Sequence, residues 1–248
     1  MLPEDVCASA SMHAPSPRLL KVGGVTPFTA TDFPGLLAAV VFVQGCPWRC
    51  GYCHNTHLQP RTKAGAVAWG KVMSFLQRRA GLIDAVVFSG GEPTSDPALS
   101  HAMRDVRTLG FKVGLHSAGT HARRFERVLP LVDWVGFDVK APFDDYERVT
   151  RVRESGTAAR RSLEALLMSG VDYECRTTVH PRLLPEADLL RMARALSQMG
   201  VKRYVLQVFR QQGSKDEALN AVAMSGYPSE DCIAQVCGWF PRFDVRRS

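Results

Sequence analysis

The stretch LLAAVVFVQGCPWRCGYCHN, residues 36–55, carries the strongest fold signal in this chain. Its first eight residues, 36–43, form an unbroken apolar run, which is typical of a buried strand and too short to span a membrane. Three cysteines follow directly with the spacing C-x3-C-x2-C, at Cys46, Cys50 and Cys53. A strand that ends in a tight loop of thiols predicts a metal centre at its carboxyl end.

The spacing of these thiols favours an iron–sulfur cluster. Three thiolates can bind three irons of one [4Fe–4S] cluster, and no fourth cysteine lies nearby, so one iron stays open to another ligand. Gly45 and Gly51 allow the loop backbone to approach the cluster closely. A zinc site completed by His54 or His57 is the alternative, but zinc needs four ligands and C-x2-C pairs usually come twice.

Bulk properties indicate one domain with a small extension. The chain has 248 residues, 46% of them apolar, and a net charge of +7. The arginine pairs are dispersed along the chain, which indicates charged residues on solvated helix faces and argues against a nucleic-acid-binding surface. Electrostatic attraction of an acidic protein partner is an alternative that the sequence leaves open. Residues 1–20 begin acidic without an apolar h-region, so we expect a disordered lead-in and no secretory signal. Free thiols suit a reducing, cytoplasmic compartment.

Apolar strands then alternate with helices along the chain. The pattern predicts strands over residues 37–43, 84–88, 111–116, 134–139, 173–179 and 203–209, and helices over 67–80, 97–109, 121–129, 156–169 and 186–199. Six strands alternating with helices imply parallel βα units, two short of a closed (β/α)8 barrel. We therefore predict an α/β fold, a partial (β/α)6 TIM-like barrel over residues 21–210. Residues 211–248 are expected to form a C-terminal tail with one short helix.

Unusual polar strings fall at the predicted carboxyl ends of these strands. Besides the cysteine loop, they are SGGEP (residues 89–93), LHSAGT (115–120), FDVK (137–140), TVHP (178–181) and LQVFRQQG (206–213). In barrels of parallel strands, reactive groups gather at this end. The convergence predicts an active site there.

The cysteine motif, with Tyr52 before its last cysteine, resembles the radical S-adenosylmethionine superfamily. The longer string FTATDFPGLLAAVVFVQGCPWRCGYCHN (residues 28–55) resembles activating enzymes of glycyl-radical enzymes, most nearly those of anaerobic ribonucleoside-triphosphate reductase. The resemblance covers roughly residues 20–210. It implies the (β/α)6 fold, a [4Fe–4S] cluster on the three cysteines, and reductive cleavage of S-adenosylmethionine to a 5′-deoxyadenosyl radical. That radical would abstract hydrogen from a glycine of a partner enzyme, with flavodoxin or ferredoxin as the reductant.

The resemblance also implies cofactor contacts. Gly90, Gly91, Glu92 and Pro93 form the family's GGEP motif, in which backbone carbonyls and the glutamate can accept from the methionine ammonium. Tyr52 corresponds to an aromatic position near the adenine, although a packing role is equally compatible with the sequence.

Two polar residues end the fourth predicted strand. Asp138 and Lys140 share a strand face, so both can reach the barrel mouth, and Lys140 can bind the methionine carboxylate. By resemblance to pyruvate formate-lyase activating enzyme, Asp138 would need a bridging monovalent cation; a strand-end salt bridge is the alternative. That relative carries an Asp-Thr-Asn-Gly string at the place that corresponds to residues 116–119 of this chain, where this chain has no acid. The difference argues against a bound monovalent cation and against assignment as a pyruvate formate-lyase activating enzyme. Ser117 keeps a hydroxyl for the cofactor.

Three further positions are candidate contacts. Arg176 can bind a carboxylate or ribose, and Arg210 stands where the relative has a ribose-contacting histidine. His180 is either functional or a structural strand end. The DFPG string, residues 32–35, matches the family's D-[FY]-P-G, for which we expect either a wall of the protein-substrate groove or a simple turn.

Other functions remain open from the sequence. Within the superfamily they are activation of another glycyl-radical enzyme, such as pyruvate formate-lyase, and chemistry on a small molecule or RNA. Outside it they are a non-catalytic iron–sulfur electron carrier, which would need no GGEP motif, and a zinc-stabilised binding module. The remaining cysteines (Cys7, Cys175, Cys232 and Cys237) form no second ferredoxin-like set and are expected to be packing thiols.

Overall fold

Eight strands form one sheet in the order in which they occur along the chain. The computed structural model describes residues 19–212 and 216–247. The strands are β1 (Val22–Thr29), β2 (Ala38–Val43), β3 (Ala85–Gly90), β4 (Lys112–Ser117), β5 (Trp134–Asp138), β6 (Asp172–Val179), β7 (Arg203–Val208) and β8 (Arg242–Arg246). β1 runs antiparallel to β2, and each later pair of neighbours is parallel. β1 and β8 are the two edges of the described sheet, so the barrel is open between them.

Helices fill the connections between the parallel strands. They are α1 (Trp69–Gln77), α2 (Leu99–Thr108), α3 (Ala122–Val128), α4 (Tyr146–Thr150), α5 (Ser155–Ser169), α6 (Glu186–Gln198), α7 (Glu217–Asn220) and α8 (Glu230–Cys237). Short 3-10 turns occur at Thr56–Leu58, Pro93–Ser95, Leu129–Leu131 and Phe143–Asp145. In the described part of the chain, no helix has the length and apolar character needed to cross a membrane.

The sheet separates two apolar clusters. The larger one lies between the strands and the helices and includes Leu115, Val135, Leu163 and Leu206. The smaller one lies inside the barrel, where alternate strand residues such as Val40 and Val87 point. The alternation fixes which side chains can face the interior, and at the carboxyl ends these are polar.

The connection between β1 and β2 enters the barrel. The Phe33 ring packs on Trp134, with 5.5 Å between ring centroids, and a side chain at Gly114 would meet Phe33 at 3.1 Å. The His116 ring nitrogen Nε2 donates to the Asp32 carbonyl oxygen at 3.0 Å. Burial lowers the pKa of His116 to about 4, so this donor is a neutral imidazole. Phe33 of the DFPG string therefore enters the barrel, while Pro34 and Gly35 lie exposed at the turn.

The partial-barrel prediction is confirmed, with two additions. The six predicted strands correspond to β2–β7, and the structure adds an edge strand on each side, β1 and β8. Glycines and a proline in VGGVTPFT, and charged residues in RFDVR, hid these strands, because edge strands tolerate residues that central strands exclude. Beyond β7 lie α7, α8 and β8, where we expected one short helix and a tail. Residues 1–18, most of the predicted lead-in, lie outside the described residues, and the domain division stays a prediction.

Candidate active site

The cysteine loop follows β2 and is anchored on both sides by backbone hydrogen bonds. Gly45 N donates to Leu58 O at 2.7 Å, and Cys46 N donates to Gln59 O at 3.0 Å. Gly45 has a φ of 104°, a conformation that favours glycine. The loop thus turns sharply at the strand end and brings its thiols back over the barrel.

The three cysteines face one cavity of about 190 Å3. All three are free thiols and half-buried. Burial raises the pKa of Cys46 to about 12 and also raises that of Cys50, so their thiolates require the positive charge of bound metal. Within residues 19–212 and 216–247, no three His, Cys, Asp or Glu side chains converge on the position of a single metal ion. Three free thiols on one cavity fit the three cysteine ligands of a [4Fe–4S] cluster.

The glycines of the GGEP motif are required by backbone packing. Gly90 has a φ of 110°, and a Cβ there would lie 2.6 Å from Val43 N. A Cβ at Gly91 would lie 2.5 Å from Gly45 O. Glu92 N donates to Gly45 O at 2.9 Å. The motif and the cysteine loop therefore pack backbone against backbone beside the same cavity, as expected from the sequence.

The Glu92 carboxylate is used within the protein. Its Oε1 accepts from Thr94 N (3.1 Å), Thr94 Oγ1 (2.6 Å) and Ser117 Oγ (2.8 Å), and its Oε2 accepts from Ala118 N (3.0 Å). The residue is 1% exposed. Burial raises the pKa of Glu92, and these donors oppose that rise. Four protein donors hold this carboxylate, so Glu92 organises the loop as well as lining the cavity. The backbone carbonyls of the loop are further acceptors for an ammonium. Pro93 begins the buried 3-10 turn that places Thr94.

Ser117 lies at the end of β4 and joins this network. Its hydroxyl donates to Glu92 and accepts from Gly119 N at 3.0 Å. We expected the Ser117 hydroxyl to donate its proton to the cofactor, but in the structure that proton is directed at Glu92. Ser117 and Glu92 connect the loops after β3 and β4, which fixes the wall of the cavity.

A charged cluster forms the opposite wall. Arg176 Nε donates to Asp138 Oδ1 at 2.9 Å, and Lys140 Nζ lies 3.9 Å from Asp138 Oδ2. Burial opposes ionisation of Asp138, but Arg176 and Lys140 hold its pKa below the ordinary value. Each carboxylate oxygen of Asp138 thus has a cation of the protein within 4.0 Å. The salt-bridge alternative describes Asp138 better.

Lys140 and Tyr52 also meet in this wall. Lys140 Nζ donates to Tyr52 Oη at 3.4 Å and lies 5.3 Å from the ring centroid. Burial disfavours its charge, but Tyr52, Cys50 and Asp138 raise the pKa of Lys140 well above its ordinary value. Tyr52 is buried. Lys140 therefore remains a cation beside the cysteine loop and is available to a carboxylate ligand.

Arg176 crosses β5 because Gly136 has no side chain. Its Nη2 donates to Gly136 O at 3.3 Å, and a Cβ at Gly136 would lie 2.7 Å from the guanidinium carbon. Arg176 lines the cofactor cavity and also a neighbouring side cavity of about 540 Å3 at the open edge of the barrel. Together with His54 and Thr178, it lies at the boundary between the two spaces.

The structure places Arg210 and His180 elsewhere. Arg210 lines the side cavity, and its carbonyl oxygen accepts from His54 Nε2 at 2.9 Å. His180 is fully buried, hydrogen-bonds to Leu219 O at 3.2 Å and contacts the Phe209 ring. His180 is thus a structural strand end, and Arg210 is not brought to the cofactor cavity.

Sequence reasoning assigned no individual role to several residues of the cavity wall, namely Trp48, Asn55, Gln59, Ser89, His116 and Thr178. Ser89, His116 and Thr178 stand in the strings expected at the active end of the barrel, and His54, also in the wall, was considered only as a zinc ligand. Gln59 lies in no motif, and only the fold brings it to the cysteines. Cys175 and Cys232 are buried and Cys237 is exposed, and none of them lines the cavity; Cys7 lies outside the described residues.

Comparison with solved structures supports the fold. The crystal structure of Streptococcus suis SuiB bound to precursor peptide SuiA matches with a TM-score of 0.64 at 12% identity. The match covers 84% of this chain and 48% of that chain, so this chain spans about half of its length. At this identity, the likeness shows the partial barrel alone.

Sequence comparisons give the family. The radical SAM superfamily model matches residues 40–194. A Methanocaldococcus jannaschii protein named as a glycyl-radical enzyme activating enzyme is 30% identical over 82% of this chain and 85% of its own. The pyruvate formate-lyase-activating enzyme of Clostridium pasteurianum is 29% identical over 64% of this chain and 68% of its own. This chain belongs to the radical S-adenosylmethionine superfamily, whose members use a [4Fe–4S] cluster and S-adenosylmethionine, and it is a radical SAM enzyme with activating enzymes of glycyl-radical enzymes among its relatives.

Proposed function

We propose that this protein activates a glycyl-radical enzyme by removing a hydrogen atom from one of its glycines. The proposed partner is anaerobic ribonucleoside-triphosphate reductase. The observation that carries the proposal is the meeting of three free thiols, the GGEP loop and a cationic wall around one cavity. Relatives named as activating enzymes of glycyl-radical enzymes support the reaction class, and the DFPG string supports the choice of partner only by resemblance.

The residues of this chain would each hold part of the site. Cys46, Cys50 and Cys53 would ligate three irons, which fits three free thiols on one cavity. When bound, the cluster supplies the electron that cleaves the sulfonium bond of S-adenosylmethionine. The backbone carbonyls of the GGEP loop would accept from the methionine ammonium, and the Glu92 carboxylate, held by protein donors, lines the same cavity.

The cationic wall would receive the methionine carboxylate. Lys140 faces the cavity with its charge retained, and Arg176 lies beside it against Asp138. Hydrogen-atom abstraction needs no general base, and the His116 ring and the Glu92 carboxylate are both held by hydrogen bonds within the protein. The protein's contribution is then orientation and the exclusion of water.

The side cavity offers a path for a protein substrate. It adjoins the cofactor cavity at His54, Arg176 and Thr178 and opens between the DFPG string and β8. A glycine carried on a flexible loop could reach the cofactor there. An electron carrier has no need for such a cavity, and this difference favours the enzyme over the non-catalytic alternative.

The setting and the reductant also belong to the proposal. We propose a cytoplasmic enzyme reduced by flavodoxin or ferredoxin, since free thiols and an oxygen-sensitive cluster suit a reducing compartment. Activation of pyruvate formate-lyase is the second candidate, supported by the Clostridium relative. The SAG string at Ser117–Gly119, which lacks the Asp-Thr-Asn-Gly pattern, favours the reductase.

The test is anaerobic and uses the reconstituted protein. The cluster is reduced, S-adenosylmethionine is added with each candidate partner, and 5′-deoxyadenosine and the EPR spectrum are recorded. We expect a glycyl doublet on the reductase that is lost in Cys50→Ala and kept in Cys237→Ala, whose thiol is exposed and away from the cavity. Cofactor cleavage without a glycyl signal on the reductase would reject that partner. Absence of cleavage by an intact, reduced cluster would reject the activity.

A further inference from the structure

A second cavity, of about 790 Å3, opens at the opposite end of the barrel from the cysteines. Inward-facing residues at the amino ends of β4 to β8 form its wall. We call this wall the lower mouth; its charged residues are Lys112, Asp133, Asp172, Lys202, Arg203 and Arg242. The strand register places Trp134 opposite Asp172 and Arg203 opposite Arg242, so the two side chains of each pair share a face of the sheet.

The lower mouth carries an excess of unpaired positive charge. Within residues 19–212 and 216–247, none of its four cations has a carboxylate within 4.0 Å. Asp133 is held by Arg107 at 2.8 Å, which leaves Asp172 as the other acid of the wall. By contrast, Arg246, higher in the same barrel, pairs with Glu174. Four cations thus face a single uncompensated carboxylate.

The geometry disfavours a small phosphate as the ligand. Compact phosphates are bound by helix amino ends, whose amides and positive partial charge point at the anion. Here the adjoining helix ends are carboxyl ends: α5 ends at Ser169 with Gly170 in the wall, and α6 ends at Gln198 with Gly200 in the wall. Their partial charge is negative. Cations spread over three strands suit several separate carboxylates, such as those of an acidic polypeptide.

The lower mouth is continuous with the path proposed for the glycine loop. Pro34 lines both this cavity and the side cavity. Along β7, Arg203 lies in the lower mouth and Gln207 in the side cavity. Four residues of strand span about 13 Å, a distance that an extended segment of about four residues covers. One polypeptide can therefore occupy both.

We propose that the lower mouth binds acidic side chains of the partner polypeptide whose glycine enters the cofactor cavity. This rests on the proposed function and adds a second contact at the far end of the barrel. The cations of the lower mouth set the affinity for the partner and take no part in cleavage of the cofactor.

The first test compares the holoenzyme with Arg203→Glu/Arg242→Glu. The matched control is Lys71→Glu/Arg78→Glu, which makes the same charge change on an exposed residue of α1 and on its exposed carboxyl-terminal cap, both outside the lower mouth. We expect the KM for the partner in glycyl-radical formation to rise at least about tenfold and to lose salt dependence, while kcat stays within about twofold. Partner-free cofactor cleavage with a chemical reductant should be unchanged. An unchanged KM, or an equal rise in the control, would overturn the proposal.

The second test does not depend on the partner. Fluorescence anisotropy of labelled hexaglutamate should show binding to the wild-type holoenzyme, weakened in Arg203→Glu/Arg242→Glu but not in the α1 control. Arg203→Gln/Arg242→Gln repeats both tests if charge reversal lowers the melting temperature. Tight competition by orthophosphate, without any effect of the variant on the KM for the partner, would identify a small-anion site and overturn the proposal. If the wild type cleaves no cofactor, the proposed function fails, and the hexaglutamate result alone decides whether the lower mouth binds acidic chains.

Discussion

Replacing Glu92 with glutamine tests whether this glutamate organises the GGEP loop through its hydrogen bonds within the protein. The carboxylate accepts four hydrogen bonds from Thr94, Ser117 and Ala118. In Glu92→Gln the amide oxygen can keep the three donors at the Oε1 position. The amide nitrogen would then face Ala118 N, which puts two buried donors together.

The cost follows from that one lost contact. Losing a hydrogen bond to a charged group and leaving a buried N–H without an acceptor costs about 2–3 kcal/mol of the free energy of unfolding. For a protein of this size, each kcal/mol lowers the melting temperature by about 2–4 °C, so we expect a decrease of about 4–12 °C. Glu164→Gln is the control for loss of a charge, because Glu164 pairs with Arg160 on the exposed face of α5, and its melting temperature should change little.

Thermal unfolding and cofactor binding by the holoenzyme separate the two roles. If Glu92 organises the loop, the melting temperature falls, and the affinity for S-adenosylmethionine falls only as the loop loosens. An unchanged melting temperature with a large loss of affinity would refute this reasoning, since it would mean that the carboxylate binds the ammonium directly.

Three further predictions follow from the site. Gly136→Ala should push Arg176 away from Asp138. Binding of S-adenosylmethionine should weaken at least about tenfold, which is the effect of losing one charged hydrogen bond. Unchanged affinity in a calorimetric titration would contradict a role for the Arg176–Asp138 pair in cofactor binding. His116 has its pKa lowered by burial to about 4, below the ordinary 6.5, so the unfolded state binds more protons between these values. The contribution of His116 to the free energy of unfolding is therefore fully present above pH 6.5 and falls by about 2 kcal/mol on going to pH 5. Denaturant unfolding should show a smaller loss in His116→Gln. An equal loss in both proteins would exclude His116 as its cause. Cys53→Ala should lower the iron content and the visible absorbance of the reconstituted protein, and full iron loading would argue that Cys53 is not a ligand.

The buried parts of the fold were predictable because local sequence carries their signal. The apolar run 36–43, like the strands that follow, shows the composition of strands buried on both faces. The edge strands β1 and β8 were missed, because each pairs on one side only and so tolerates glycine, proline or charge.

The site divides in the same way. Cys46, Cys50 and Cys53 lie within eight residues, and the GGEP glycines take backbone conformations that few other residues allow, so local sequence suffices for both. The partners of Glu92 and Asp138 come from other strands, and only the structure identifies them.

The sequence by itself determined the barrel, the cysteine loop and the reaction class, because these depend on periodicity and on short motifs whose chemistry is local. Only the tertiary structure decided which polar groups are already satisfied within the protein. Glu92 and Ser117 bind each other, and Asp138 is shared by Arg176 and Lys140. Among the described residues, the four cations of the lower mouth have no carboxylate within 4.0 Å. Pairing between distant strand ends depends on register and burial, and neither can be read from the spacing of residues along the chain.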